Sequence, residues 1–387
     1  MQRIFGLIKD KTEKLLADGT VNRVIGWKKG ELFYDNTPAV FNISTVPGTT
    51  LTGDEMESFV YDGFCASNLS KYLISESKKD GKILALLKPC DTYCFNQLAK
   101  EHRINKDNVY ILGIECRGMI DINKIKDLGI KGIISIEEKD YEYEKYDQLI
   151  IQTIYGEKTC KKREVLLEKC LCCKGKRHVT YDELLSRGDH TPEDTRADIR
   201  VLTGENTPEV TPEVTHEDTS KDIRKGTPEA TRKKASQLDS NRFELVEKLE
   251  AMTPDERFSF WRGELSKCIR CNACRNVCPA CSCIKCVFDN DNSGIASKAN
   301  TDTFEENMFH IIRAFHVAGR CTDCGECSRV CPQHIPLHLL NRKIIKDINE
   351  LYGEYQAGAD TESRAPLADF TKEDVEPSIV AKKGGEH

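Results

Sequence analysis

Through the first half of the chain, short apolar runs alternate with amphipathic stretches, the pattern of a doubly wound α/β domain. Lys82-Ile83-Leu84-Ala85-Leu86-Leu87-Lys88 carries apolar side chains on both faces, as a buried parallel strand does, and Pro89 ends it by removing a backbone donor. Asp91 is placed to cap the helix that follows. Val109-Tyr110-Ile111-Leu112-Gly113-Ile114 reads as the next strand and Gly132-Ile133-Ile134-Ser135-Ile136 as another, joined by helical segments of βαβ length. A second helical segment, 161–168, leads into Cys170. The pattern therefore predicts an α/β domain with a mostly parallel sheet over residues 1–187. It sets Cys90 and Cys116 just past the C-terminal ends of successive strands, the edge at which open α/β sheets bind ligands.

The alternation then stops. Residues 188–239 repeat Thr-Pro-Glu at Thr191, Thr207, Thr211 and Thr227 and hold no aromatic side chain, so they have too little apolar surface to offset the entropy of ordering. They are expected to be a disordered linker. Order is expected again over 240–356, as a small α+β or largely helical domain. Phe243, Val246 and Leu249 stand at helical spacing, and Thr253-Pro254-Asp255-Glu256 joins an N-cap, a first-turn proline and a capping-box glutamate. Phe258, Phe260 and Trp261 are expected to pack against the cysteines that follow. Amphipathic helices are predicted at 304–315 and 336–351, and residues 357–387 are expected to be a flexible tail.

The composition adds one unusual number, 19 cysteines in 387 residues. A disulfide scaffold packs such a count into fewer than about 100 residues. The opening MQRIFGLIKDKTEK has no signal-peptide core, so the expectation is a reducing, cytoplasmic setting in which clustered cysteines bind metal. No stretch approaches the roughly 18 apolar residues of a membrane span, and no membrane insertion is expected. With 57 Lys+Arg against 63 Asp+Glu the net charge of -6 gives no general attraction for phosphate backbones, so nucleic acid is not an expected partner. G-x-G-x-x-G, Walker A, G-x-S-x-G and H-E-x-x-H are all missing, and no catalytic residue can be named.

The chemistry lies in cysteine spacing. Cys268-x2-Cys271-x2-Cys274-x3-Cys278-Pro279 is matched by Cys321-x2-Cys324-x2-Cys327-x3-Cys331-Pro332. Each is the full bacterial ferredoxin run, in which three thiolates on a tight loop take three corners of a cubane and the distant fourth ligates the other cluster. Cys268, Cys271, Cys274 and Cys331 are thus expected to hold one 4Fe-4S cluster, and Cys321, Cys324, Cys327 and Cys278 the second. Zinc sites group their ligands as two pairs and suit this pattern less well.

Residues 279–320 are an insertion between the runs, opening with Cys281, Cys283 and Cys286. These three read as thiols packed around the clusters, as ligands to a further metal, or as redox-active groups. His310, His316, His334 and His338 are expected on helix surfaces or at caps. In the first half, Cys170-x2-Cys173 forms a pair, and if it folds over the edge marked by Cys90 and Cys116, four thiolates converge. The other reading is that these cysteines are simply buried as apolar groups.

Pro89-Cys90-Asp91, Ile114-Glu115-Cys116-Arg117-Gly118 and Cys170-x2-Cys173, in that order, make residues 63–187 resemble the deazaflavin-coenzyme hydrogenase/dehydrogenase beta-subunit family, which includes formate dehydrogenase beta subunits. Here that domain is fused to a C-terminal dicluster ferredoxin module. The resemblance implies that Cys90, Cys116, Cys170 and Cys173 hold a third 4Fe-4S cluster and that FAD accompanies it. Residues 63–69 are the nearest counterpart of the family's glycine-rich flavin-associated segment.

The expected function is an iron-sulfur electron-transfer subunit of a multi-subunit oxidoreductase of the formate dehydrogenase, hydrogenase or heterodisulfide-reductase-like kind. Its expected partners are the other subunits of that complex and a soluble electron donor or acceptor. Flavin would convert between a two-electron hydride donor and one-electron clusters. From a different class comes the alternative of a non-catalytic ferredoxin-like adaptor that docks a partner enzyme and binds no flavin. Adjacent Cys172 and Cys173 raise thiol-disulfide reduction, against which Lys174 stands where such reductases need glycine.

Overall fold

The computed structural model describes residues 2–42, 58–138, 148–173, 177–185, 242–290 and 302–367. The linker expected over 188–239 lies outside them, as does the expected tail beyond 367. In the first part the strands are β1 (Arg23–Lys28), β2 (Thr37–Asn42), β3 (Phe59–Val60), β4 (Ile83–Leu87), β5 (Val109–Ile114), β6 (Ile133–Glu138), β7 (Gln148–Thr153), β8 (Gly156–Lys161) and β9 (Glu183–Leu185). Among them run helices α1 (Gln2–Ala17), α2 (Leu73–Glu76), α3 (Pro89–Lys100), α4 (Ile122–Asp127) and α5 (Glu168–Leu171).

One sheet has the order β2-β1-β4-β5-β9, with β3 also on β1. Its centre is parallel: Arg23 pairs with Ile83, Ile83 with Val109, and Leu112 with Glu183, while β2 and β3 are antiparallel additions. Every residue of β4 is buried, as the run of apolar side chains requires of a strand covered on both faces. Helix α1 lays Ile4, Ile8, Leu15 and Leu16 into the same core. The α/β fold with a mostly parallel sheet is thus as the sequence indicates.

Three local expectations are corrected. The run 132–136 does not extend the parallel sheet; β6 pairs antiparallel with β7, and β7 with β8, in a separate three-stranded sheet. Ser135, Glu137 and Glu138 leave β6 only one apolar face, and Ile134 is 57% exposed, so a doubly covered position was closed to it. Segment 161–168 is not one helix: Lys161 closes β8, residues 162–165 make a 3-10 turn that buries Val165, and the helix α5 begins at Glu168. Asp91 caps α3 from inside its first turn, accepting the backbone N–H of Lys88 at 3.2 Å.

The second part is helical: α6 (Glu244–Glu250), α7 (Pro254–Leu265), α8 (Ala273–Val277), α9 (Thr303–His316), α10 (Glu326–Arg329) and α11 (Leu337–Tyr352). Thr253 and Glu256 form the expected capping box of α7. Of the three aromatic residues on α7, Trp261 packs against the same core as Cys268 and Cys331, Phe260 packs with Val246 and Leu249, and Phe258 stays exposed. Residues 357–367 run against the folded parts. Ala357 is buried, and the chain passes so close to α3 and to Gly319 that a Cβ on Gly358 would meet Tyr93 O, and one on Gly319 would meet Pro366 O.

Candidate metal centres

Both cysteine runs fold alike. In the first, Arg270 and Asn272 take left-handed backbone angles (φ 56° and 59°), and in the second so do Asp323 and Gly325 (φ 58° and 66°), the equivalent positions. Each left-handed pair coils the chain around its three thiols before the short helix, α8 or α10, begins. Gly325 must be glycine, because a Cβ there would lie 2.5 Å from Lys169 Cβ.

Cys268, Cys271, Cys274 and Cys331 line one cavity, closed by Phe309, His310, Ile335 and Leu337. The fourth cysteine of the second run has therefore joined the first three. Reciprocally, Cys278 lies within the electrostatic reach of Cys321 and Cys324, and Cys327 within that of Cys324. The hydrogen bond with Cys281, with burial, pushes the Cys278 thiol up, and burial pushes Cys321 up and Cys327 up to about 12. Donors are aimed at the sulfurs: the Arg270 N–H at Cys268 Sγ (3.4 Å) and Arg313 Nη1 at Cys274 Sγ (3.0 Å). Among the described residues no group of three or more His, Cys, Asp or Glu is drawn together around a point as for a single metal ion. The donor set, all thiol and arranged around a cavity, fits a cluster.

The α/β part brings a further set to the same place. Cys90 and Cys173 line a cavity together with Cys324, Thr322 and Asp323 of the second run. Cys116 feels both Cys170 and Cys173, and burial raises it to about 11. The Met119 N–H donates to Cys170 Sγ at 3.3 Å, a ligand-type contact. Cys172 turns away from this set toward Arg342. Cys90 and Cys173 thus share a cavity at the strand-end edge, and Cys116 lies within the electrostatic reach of Cys170 and Cys173. Beside them, buried Lys88 pairs with Asp91 (3.1 Å), donates to Cys65 O (3.1 Å) and Ser67 O (2.9 Å), and lies 4.0 Å over the Trp27 ring.

Ion pairs lock the two parts together across this edge. Glu326, between Cys324 and Cys327, is 1% exposed and pairs with Lys169, which precedes Cys170. Burial alone would raise the Glu326 carboxyl, but Lys169 and Arg329 outweigh it and hold it far below the carboxylate range. The Asn68 N–H adds a hydrogen bond to Glu326 Oε2 (3.2 Å). Lys71 Nζ donates to Cys278 O (2.8 Å) and Cys281 O (2.9 Å), and Arg320 grips Glu101 through Nε and Nη2 (2.8 and 2.7 Å). Segment 63–69 takes part in this junction: Ser67 and Asn68 are buried and bonded to Lys88, Arg329 and Glu326.

Several side chains went unread in the sequence. Cys94, on α3, hydrogen-bonds with Thr322 Oγ1 (3.0 Å) and Cys324, while Cys281 hydrogen-bonds with Cys278. Cys281 thus packs beside a cluster set, whereas Cys283 is exposed. Two histidines expected on helix surfaces are buried instead, His310 at 2% and His338 at 6% exposure, and burial with nearby Arg313 and Arg270 brings His310 down to about 3. The legible signal was position: His310 and Arg313 interrupt the stripe of Phe309, Ala314 and Val317 that α9 turns inward.

Comparison with known proteins gives a family match to the 4Fe-4S dicluster domain over residues 264–335. The chain is 26% identical to the F420-dependent formate dehydrogenase subunit beta of Methanocaldococcus jannaschii, over 94% of this chain and 93% of that one. It is 27% identical to the F420-dependent formate dehydrogenase 1 subunit beta of Methanococcus maripaludis, over 91% and 90%. A putative ferredoxin-3 of Sinorhizobium fredii is 32% identical over 20% of this chain and 75% of its own length. A solved chain of the F420-reducing NiFe hydrogenase complex from Methanosarcina barkeri matches 65% of this chain and 87% of that one with a TM-score of 0.35 and 14% identity.

Proposed function

We propose that the chain, similar along most of its length to the beta subunits of F420-dependent formate dehydrogenases and matching the 4Fe-4S dicluster domain near its C-terminal end, is an iron-sulfur electron-transfer subunit that carries three adjoining cluster sites. Cys268, Cys271, Cys274 and Cys331 would hold the first, Cys321, Cys324, Cys327 and Cys278 the second, and Cys90, Cys116, Cys170 and Cys173 the third. Clusters bound there supply one-electron carriage. The observation that carries this reading is the cavity lined jointly by Cys90 and Cys173 from one part and Cys324 from the other. Two separate modules joined only by a linker have no reason to build such a cavity. Residues 1–187 and 240–356 are then a redox domain and a dicluster domain held in register by Lys169–Glu326 and Glu101–Arg320.

The protein would exchange electrons with reduced F420 or with a catalytic partner subunit, as the relatives' names suggest. A hydride donor needs a two-electron converter, a purpose that a flavin would serve. The test is anaerobic. Reduced F420, added to the purified protein with its co-purifying subunits, is expected to bleach the clusters. Cys90→Ser is expected to block that bleaching while dithionite still reduces the dicluster domain. A preparation that releases no flavin and whose clusters stay oxidised with F420 would overturn this reading in favour of the docking adaptor.

A further inference from the structure

Helix α9 lies in the insertion between the two cysteine runs, and its inner face presents His310 and Arg313 one turn apart. Neither ring nitrogen of His310 has a hydrogen-bond partner among the described residues, although the side chain is buried. Imidazole always carries at least one N–H, and a buried donor without an acceptor is costly enough to call for an explanation. The ring lines the cavity enclosed by Cys268, Cys271, Cys274 and Cys331. Phe309 stands edge-on to it, ring centroids 5.0 Å apart and planes at 85°, with Arg270 stacked 4.0 Å from the Phe309 centroid. Arg313 reaches the same set, with Nη1 on Cys274 Sγ (3.0 Å), Nη2 on Cys274 O (3.2 Å), and Nε without a partner among the described residues.

We propose that His310 is a positioning residue of this centre, its N–H donating to a sulfur of the cluster held by Cys268, Cys271, Cys274 and Cys331. With Arg313 on the Cys274 thiolate, it raises that cluster's reduction potential. The physical reason is that an N–H directed at a cluster sulfur stabilises the added electron more than it stabilises the oxidised state. The insertion is then a tuning element for one of the two dicluster sites. This rests on the cysteine assignment given above.

The test is EPR-monitored redox titration of the intact protein. His310→Leu is expected to move one cluster to lower potential and leave the others in place, and His310→Gln, which keeps an N–H donor, to restore most of the shift. Iron content and signal number separate the two claims. Full iron with an unshifted potential in His310→Leu overturns the role of His310 and leaves the cysteine assignment standing, whereas Cys331→Ala retaining both dicluster signals overturns the assignment itself. If His310→Leu loses the cluster, pulsed EPR on wild-type protein labelled with 15N-histidine decides. Nitrogen coupling to that cluster supports the proposal, and its absence overturns it.

Discussion

His178 lies under the strand ends with its Nε2 3.0 Å from Leu87 O, and burial, opposed by backbone hydrogen bonds, brings its pKa down to about 4. An unfolded histidine titrates near 6.5. Between those values the unfolded chain takes up a proton that the folded chain refuses, so stability is lost as pH falls through the window, by up to about 1.4 kcal/mol per unit. Above about 6.5 the residue contributes no slope. The thermal midpoint should therefore drop between pH 7 and pH 5.5, and less so in His178→Gln; equal drops in the two proteins would remove His178 as the cause. At this scale the sequence was uneven. Cysteines announce themselves by spacing because a cubane constrains the loop that wraps it, and the crossed grouping of Cys331 with Cys268 could be read directly. His310, Cys94 and Lys71 could not, since each acts on a group that is distant in the chain and has no spacing rule.

Among the elements, α5 and α10 are joined by the buried pair of Lys169 and Glu326. Both charges are almost wholly out of water, so removing one leaves the other buried and uncompensated, at a cost of about 3–5 kcal/mol. Glu326→Ala should lower the thermal midpoint and loosen both adjoining cysteine sets, while Lys169→Met combined with Glu326→Leu should recover part of the loss. A single variant as stable as wild type would show that the pair is not desolvated. Strand β4 was legible from its unbroken apolar run, α7 from the capping box at Thr253 and Glu256, and α11 from its apolar period. The misread elements, β6 and the segment at 161–168, are short runs whose period suits two structures. Their placement is decided by pairing with β7 and by burial of Val165, neither of which is local.

The molecule as a whole is two folded parts meeting at the C-terminal edge of a parallel sheet. Composition marked both parts and the stretch between them, but not their packing, because the polar residues that join them, Lys71, Glu101, Arg320 and Glu326, read as solvated charges in isolation. Packing is what would turn two ferredoxin-type sites and a scattered set of four cysteines into adjoining centres, as proposed above. Iron and acid-labile sulfide per chain, measured on anaerobically purified protein, test that claim most directly. Three 4Fe-4S sites predict about twelve of each, falling to about eight in Cys116→Ala. A wild-type value of about eight would contradict the third site and leave the dicluster domain as the chain's whole complement of iron.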